Sequence, residues 1–121
     1  MSWWRWLPFG RVPAVGAEEL ARRLAGPRPP LVLDVRTAAE VASGTIPGAR
    51  HVPVHELARR IDELGLAPGA EVVAVCASGH RSKPAVRLLR ARGLDARELA
   101  GGMSAWRRAG LPVARPAAAG S

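Results

Sequence analysis

The only cysteine of the chain, Cys76, opens the segment Cys76-Ala77-Ser78-Gly79-His80-Arg81-Ser82, in which four residues separate it from Arg81. A cysteine becomes a nucleophile when its thiol is ionised, and neighbouring cations and unpaired backbone N–H groups favour the thiolate. Gly79 allows the backbone to curl tightly, so that several amides can converge on one sulfur atom. The segment therefore predicts a cradle for a thiolate, or for an anion bound against it.

The residues on either side of this loop predict a strand and a helix. The apolar run Val72-Val73-Ala74-Val75 is short and β-branched, which is typical of a buried strand. The segment from Lys83 to Gly93 predicts a helix, with Pro84 suited to its first turn and Gly93 to its C-terminal end. We therefore expect Cys76 at the carboxyl end of a strand and beside a helix N-terminus, where the positive end of the helix dipole favours an anion.

The rest of the chain alternates strand and helix patterns. We predict further strands at residues 11–15, 31–35 and 95–99, and further helices at residues 17–24, between a capping box at 37–40 and Gly44, and at 57–64. Such alternation indicates a parallel sheet covered by helices on both faces. Ligands of these sheets bind at the carboxyl ends of strands, so Asp34 and Cys76 are expected on the same rim.

Composition indicates one domain with one core in a chain of 121 residues. We divide it into a Trp-rich N-terminal extension (1–10), the domain itself (11–113) and a disordered tail (114–121). A single cysteine excludes an internal disulfide framework and fits a reducing compartment. We recognise neither a membrane-spanning apolar stretch nor a secretory signal pattern, and we expect a cytoplasmic protein.

The formal net charge of +8 comes almost entirely from arginine. Because the chain is also rich in Ala, Gly and Pro, codon bias of a G+C-rich genome and solvated helix faces explain this charge better than nucleic-acid binding. A basic chain can still attract RNA, anionic lipid or small anions. Trp rings and an arginine in residues 3–9 are also compatible with weak contact to a membrane surface, although packing or fraying of this segment is the favoured interpretation.

The loop from Cys76 to Arg81 resembles the active-site loop of the rhodanese family. Two further segments resemble signatures of that family in the expected order: Asp34-Val35-Arg36 followed by 44–49, and Gly101–Trp106 followed by 110–113. The resemblance covers roughly residues 11–113. It implies an α/β fold, a single rhodanese-like domain with a central parallel sheet of about five strands and helices on both faces. Thr45 stands where the family usually carries His, and we expect this departure to be structural.

The resemblance implies a sulfurtransferase. Its Cys76 would accept sulfane sulfur from a small donor, thiosulfate or a persulfide, and pass it from a Cys76 persulfide to cyanide, a thiol or a protein acceptor. An alternative is a persulfide carrier or binding module without small-molecule turnover. Phosphatases and arsenate reductases of the same fold are less favoured, because their loops are one residue longer. No cofactor is expected.

The resemblance also suggests roles for the remaining loop residues. Arg81 would act with Cys76 as a structural and electrostatic member of the loop. The other loop positions, Ala77, Ser78, Gly79, His80 and Ser82, would bind the substrate or hold the loop. The His80 side chain points either to solvent or to the donor. Ser78 and Ser82 would donate hydrogen bonds to the persulfide, with capping of the helix as the alternative for Ser82.

Outside the loop, Asp34 and Arg36 are supporting residues. A buried carboxylate needs a partner, so Asp34 is expected to position the loop or to pair with Arg36. Arg36 itself either binds the anionic donor or forms a purely structural ion pair. Lys83 would add positive potential at the mouth, and Trp106 is assigned to the core or to a lid. His51 and His55 form no liganding pattern with Cys76, and no metal site is predicted.

Overall fold

Five parallel strands alternate with helices in the computed structural model, which describes residues 11–116. The strands are β1 (Ala14–Val15), β2 (Leu31–Asp34), β3 (Arg50–His51), β4 (Glu71–Val75) and β5 (Asp95–Leu99). The helices are α1 (Ala17–Leu24), α2 (Ala38–Ala42), α3 (Val54–Arg60), α4 (Ser82–Ala91) and α5 (Gly102–Arg108), and a 3-10 helix, Ile61–Leu64, follows α3. The predicted α/β architecture is confirmed.

The sheet order is β1-β5-β4-β2-β3, and every pairing is parallel. This order places β4 at the centre, between β2 and β5. Asp34 at the end of β2 is the register partner of Val75 at the end of β4. The predicted shared rim for Asp34 and Cys76 is thus confirmed, since the residue after Val75 is Cys76.

Two apolar layers cover the sheet because side chains of β4 alternate between its faces. Val72, Ala74 and Cys76 pack with residues of α3 and α4. Val73 and Val75 pack on the opposite face with residues of α1 and α5, including Trp106. Helices therefore lie on both faces, and the cysteine continues the alternation toward the side that carries α4.

Local sequence explains where the shorter elements begin and end. The capping box that starts α2 forms as predicted: the Thr37 side chain accepts from the Glu40 N–H, and the Glu40 carboxylate accepts from the Thr37 N–H. The third predicted helix is split into α3 and the 3-10 helix, and it begins earlier than expected, at Val54, with Pro53 at the N-cap. Strand β3 was not predicted, since two polar residues carry no strand pattern.

The C-terminal boundary differs from the prediction. Ala114 exchanges two backbone hydrogen bonds of 2.8 Å with Thr45, so ordered structure continues past residue 113. The interpretations of residues 1–10 and of the end of the tail concern segments outside the described residues. Within 11–116, no helix combines the length and the apolar character that crossing a membrane requires.

Candidate active site

Cys76 lies at the end of the central strand, in the loop that leads into α4. The residue is only 1% exposed, and its sulfur faces the first turn of that helix. The Gly79 N–H donates to Cys76 Sγ over 2.8 Å. Gly79 adopts φ of +113°, a left-handed conformation that favours glycine and that turns its amide inward. The predicted curl of the loop is therefore present.

The electrostatic balance at the sulfur favours the thiolate. Burial by itself raises the pKa of the Cys76 thiol, because a buried charge loses hydration. The hydrogen bond between the sulfur and the Ser82 side chain, and those from the backbone amides of Ser82, Gly79 and Ser78, act in the opposite direction and together outweigh burial. The net result is a pKa below the ordinary value of a cysteine thiol.

The N-terminus of α5 packs against the backbone of the loop. The Met103 N–H donates to the Cys76 carbonyl over 2.8 Å, and the Ser104 N–H donates to the Ala77 carbonyl over 3.0 Å. A Cβ atom on Gly102 would lie 2.3 Å from the Cys76 carbonyl oxygen, closer than any side chain can approach. The second glycine of the Gly101-Gly102 pair is thus required for the docking of α5 on the loop.

Arg81 joins the loop to α2 through an ion pair with Glu40. Its two terminal nitrogens lie 2.5 and 2.8 Å from the two Glu40 carboxylate oxygens. The Arg81 hydrogen bonds lower the pKa of Glu40 to about 2. The same carboxylate is the main cause of a raised pKa at Arg81, and negative charge on Cys76 adds to it. Arg81 is thus both an anchor of the loop and a positive charge within reach of the sulfur.

Asp34 and Arg36 form a buried ion pair on the neighbouring strand end. Arg36 Nη2 lies 2.7 Å from Asp34 Oδ2 and also donates to the Gly44 carbonyl over 2.7 Å. Thr45 Oγ1 donates to the same carboxylate oxygen over 2.7 Å, so Thr45 has the structural part expected of it. Of the two interpretations of Arg36, the buried ion pair is the one that the structure shows.

Ser82 is the first residue of α4 and lies entirely below the surface. Its hydroxyl oxygen is 3.5 Å from Cys76 Sγ, and its hydroxyl donates to Glu98 Oε1 over 2.7 Å. The alternative that Ser82 caps the helix is wrong, because Arg81 holds the N-cap and makes no side-chain cap. Lys83 Nζ lies 3.1 and 3.2 Å from the Glu98 oxygens and also donates to the Gly79 carbonyl.

The side chains of the remaining predicted residues differ in exposure and in partners. The His80 and Ser78 side chains are exposed, and Ala77 is half-buried. Trp106 is a core residue whose Nε1 donates to the Pro112 carbonyl over 2.7 Å. One ring nitrogen of His51 lies 2.7 Å from the Arg36 carbonyl. Among residues 11–116, no group of three or more His, Cys, Asp and Glu could hold a metal ion.

Two residues of the site were missed by sequence reasoning. Glu40 was interpreted only as a capping residue, and its pairing with Arg81 joins positions far apart in the chain. Glu98 was assigned only to a strand, although the alternation of β5 places it on the same buried face as Ala96. The sequence feature that could have identified Glu98 is a carboxylate at a strand position whose side chain points into the core.

These features define a class of protein: an α/β domain that presents one cysteine inside a tight loop at the carboxyl end of its central parallel strand. The sequence model of the rhodanese-like domain family matches residues 16–109. The chain belongs to this family.

Relatives agree with that assignment over most of the chain. It is 39% identical to a sulfurtransferase from Allochromatium vinosum over 103 residues, which cover 84% of this chain and 94% of the relative. It is 34% identical to the thiosulfate sulfurtransferase GlpE of Pseudomonas putida, covering 82% of this chain and 86% of that protein. The crystal structure of a rhodanese-related protein from Thermoplasma volcanium is similar at a TM-score of 0.74 and 30% identity, covering 86% of this chain and 99% of that one.

Proposed function

We propose that the protein is a sulfurtransferase that carries sulfane sulfur on Cys76, with thiosulfate as a competent donor and cyanide or a thiol as acceptor. The observation that carries this proposal is the cradle itself: a buried sulfur that receives backbone N–H groups and whose pKa lies below the ordinary value. Relatives named sulfurtransferases and a thiosulfate sulfurtransferase support it.

The proposed reaction is a double displacement. The Cys76 thiolate attacks the outer sulfur of thiosulfate, and an S–S bond forms as the S–S bond of the donor breaks and its electron pair leaves with sulfite. The outer sulfur of the resulting persulfide is then attacked by the acceptor, and the Cys76 thiolate is regenerated. No external oxidant or reductant is consumed, because sulfur moves at the zero-valent level.

The loop residues serve this chemistry as hydrogen-bond donors and charges. The amides of the loop lower the pKa of Cys76, and the same hydrogen-bond donors would stabilise the negative charge of a persulfide. Arg81 adds positive charge near the sulfur while Glu40 holds its guanidinium in place. With four residues between Cys76 and Arg81, the loop is shorter than that of related phosphatases, which favours a sulfur atom over a tetrahedral oxyanion as occupant.

The test is thiocyanate production from thiosulfate and cyanide by the full chain and its variants. Cys76→Ser should produce none, because a serine hydroxyl stays protonated in the loop and cannot hold a persulfide. Arg81→Ala should reduce the rate severely without abolishing it, since the amides remain. Arg59→Ala, which removes an exposed arginine of α3, should match wild type. Wild-type turnover by Cys76→Ser would overturn the proposal.

Saturable turnover separates an enzyme from a carrier, and mass spectrometry shows whether Cys76 takes up sulfur at all. After incubation with thiosulfate, both would gain the mass of one sulfur atom on Cys76. Only an enzyme then shows saturable thiocyanate turnover, whereas a carrier releases its sulfur once, and only to a protein partner. Failure to gain sulfur at all would contradict both alternatives.

A further inference from the structure

Glu98 is a buried carboxylate connected to the sulfur by one hydroxyl group, and the reaction proposed above gives it no part. Its side chain is 9% exposed at the end of β5. Glu98 Oε1 accepts from the Ser82 hydroxyl over 2.7 Å, and the Ser82 oxygen lies 3.5 Å from Cys76 Sγ. The loop, the start of α4 and the end of β5 are therefore connected through three side chains, those of Cys76, Ser82 and Glu98.

The number of hydrogens available to the Cys76, Ser82 and Glu98 side chains depends on the ionisation state of Cys76. A serine hydroxyl has a single hydrogen. When Cys76 is a thiol, its S–H donates to Ser82 and the Ser82 hydrogen goes to Glu98, so both contacts are satisfied. When Cys76 is a thiolate, the sulfur and the carboxylate are two anions that compete for one hydrogen. The carboxylate has the shorter contact, and this arrangement disfavours the thiolate.

Lys83 places a positive charge beside the Glu98 carboxylate. Its ammonium nitrogen lies 3.1 and 3.2 Å from the two carboxylate oxygens, so a positive charge faces the carboxylate directly. The ammonium also offsets part of the repulsion between Glu98 and a thiolate.

The other charges around the sulfur do not contact it through the Ser82 hydroxyl. Arg81 reaches it from the loop and favours the thiolate, although Glu40 of α2 shares that arginine. Asp34, at the end of β2, is paired with Arg36, and the exposed His80 belongs to the loop. Glu98 is therefore the negative charge whose contact with the sulfur runs through the Ser82 hydroxyl.

We propose that Glu98, acting through Ser82, is a positioning residue that limits the thiolate population of Cys76, and that Lys83 counteracts this limit. The inference deepens the proposed function, in which the thiolate is the nucleophile. When the thiolate forms, the thiol proton leaves to water, and the Ser82 hydroxyl turns from Glu98 to the sulfur. The thiolate then gains a donor at the expense of the carboxylate.

The experiment measures the rate of Cys76 alkylation by iodoacetamide against pH in the full chain. The signal is unambiguous because Cys76 is the only cysteine. Glu98→Gln should shift the midpoint of the profile downward by about one pH unit, which means roughly tenfold faster alkylation below the midpoint. Lys83→Met leaves the carboxylate uncompensated and should shift the midpoint upward. Glu71→Gln, which breaks the ion pair of Glu71 with Arg23 at the opposite end of β4, should leave it unchanged.

A double variant tests whether the effect passes through the hydroxyl. In a Ser82→Ala background, Glu98→Gln should produce less than half of its original shift. A shift of equal size there would show a through-space charge effect and overturn the part assigned to Ser82. An upward shift in Glu98→Gln would identify the carboxylate as a base, and an unchanged profile would show a merely structural residue. Either result refutes the proposal.

Two precautions keep the result decisive. If the near-ultraviolet circular dichroism of Glu98→Gln departs from wild type, Lys83→Met decides alone, and an unchanged or downward midpoint there overturns the inference. Alkylation needs no sulfur donor. If the wild-type chain takes no sulfur from thiosulfate, the proposed function fails, while the alkylation profiles still decide the role of Glu98.

Discussion

The ion pair between Glu40 and Arg81 predicts a loss of stability that depends on pH. In Glu40→Gln the amide oxygen can still accept from Thr37, so the capping of α2 is retained. What is lost is the charge that faces Arg81 across the loop. We expect the free energy of unfolding at pH 7 to fall by about 1 kcal/mol relative to wild type.

This magnitude follows from the pKa of Glu40 and from its exposure. Folding lowers that pKa from 4.5 to about 2, which corresponds to roughly 3 kcal/mol as an upper limit. The side chains of Arg81 and Glu40 are 34% and 32% exposed, so solvent screening reduces the value to about 1 kcal/mol. Because the folded-state pKa is the lower one, the contribution is complete above pH 4.5 and disappears as the pH falls toward 2.

Urea denaturation followed by circular dichroism measures the effect at pH 7 and near pH 2. The two proteins should differ at pH 7 and converge at the acid end. Glu63→Gln is the matched control, because its ion pair with Arg60 involves a carboxylate side chain that is 64% exposed, and it should change stability by less than about 0.5 kcal/mol. Equal stability of wild type and Glu40→Gln at pH 7, or a difference that persists undiminished near pH 2, would refute the reasoning.

Two further substitutions test the supports of the loop by the same denaturation assay. Asp34→Asn should cost about 3 kcal/mol, because it leaves the buried Arg36 charge without its partner. The exposed Asp62→Asn should cost almost nothing, and equal costs would refute the buried pair. Gly102→Ala should cost about 3 kcal/mol, because its Cβ would meet the Cys76 carbonyl oxygen. Gly110→Ala shares a positive φ but meets open space, so a cost as large there would show that backbone conformation alone is responsible.

Local pattern was sufficient for most of the fold. The β-branched run before Cys76 is a strand because it can be buried on both faces, and the capping box of α2 satisfies its backbone amides with residues three apart. Strand β3 could not be predicted, because its two polar residues pair with β2 only once the connecting chain has folded. The end of the domain was also misjudged, since the bridge between Ala114 and Thr45 joins distant segments.

The sequence by itself predicted the thiolate cradle of the site. The types and spacing of Cys76, Gly79 and Arg81 suffice for a thiolate cradle, because the loop and the helix that follows it supply the amides locally. Only the tertiary structure decided which partners hold that loop: Glu40 on Arg81, and Glu98 on Ser82. These contacts join residues 41 and 16 positions apart, and their existence depends on how strands and helices pack rather than on any local pattern.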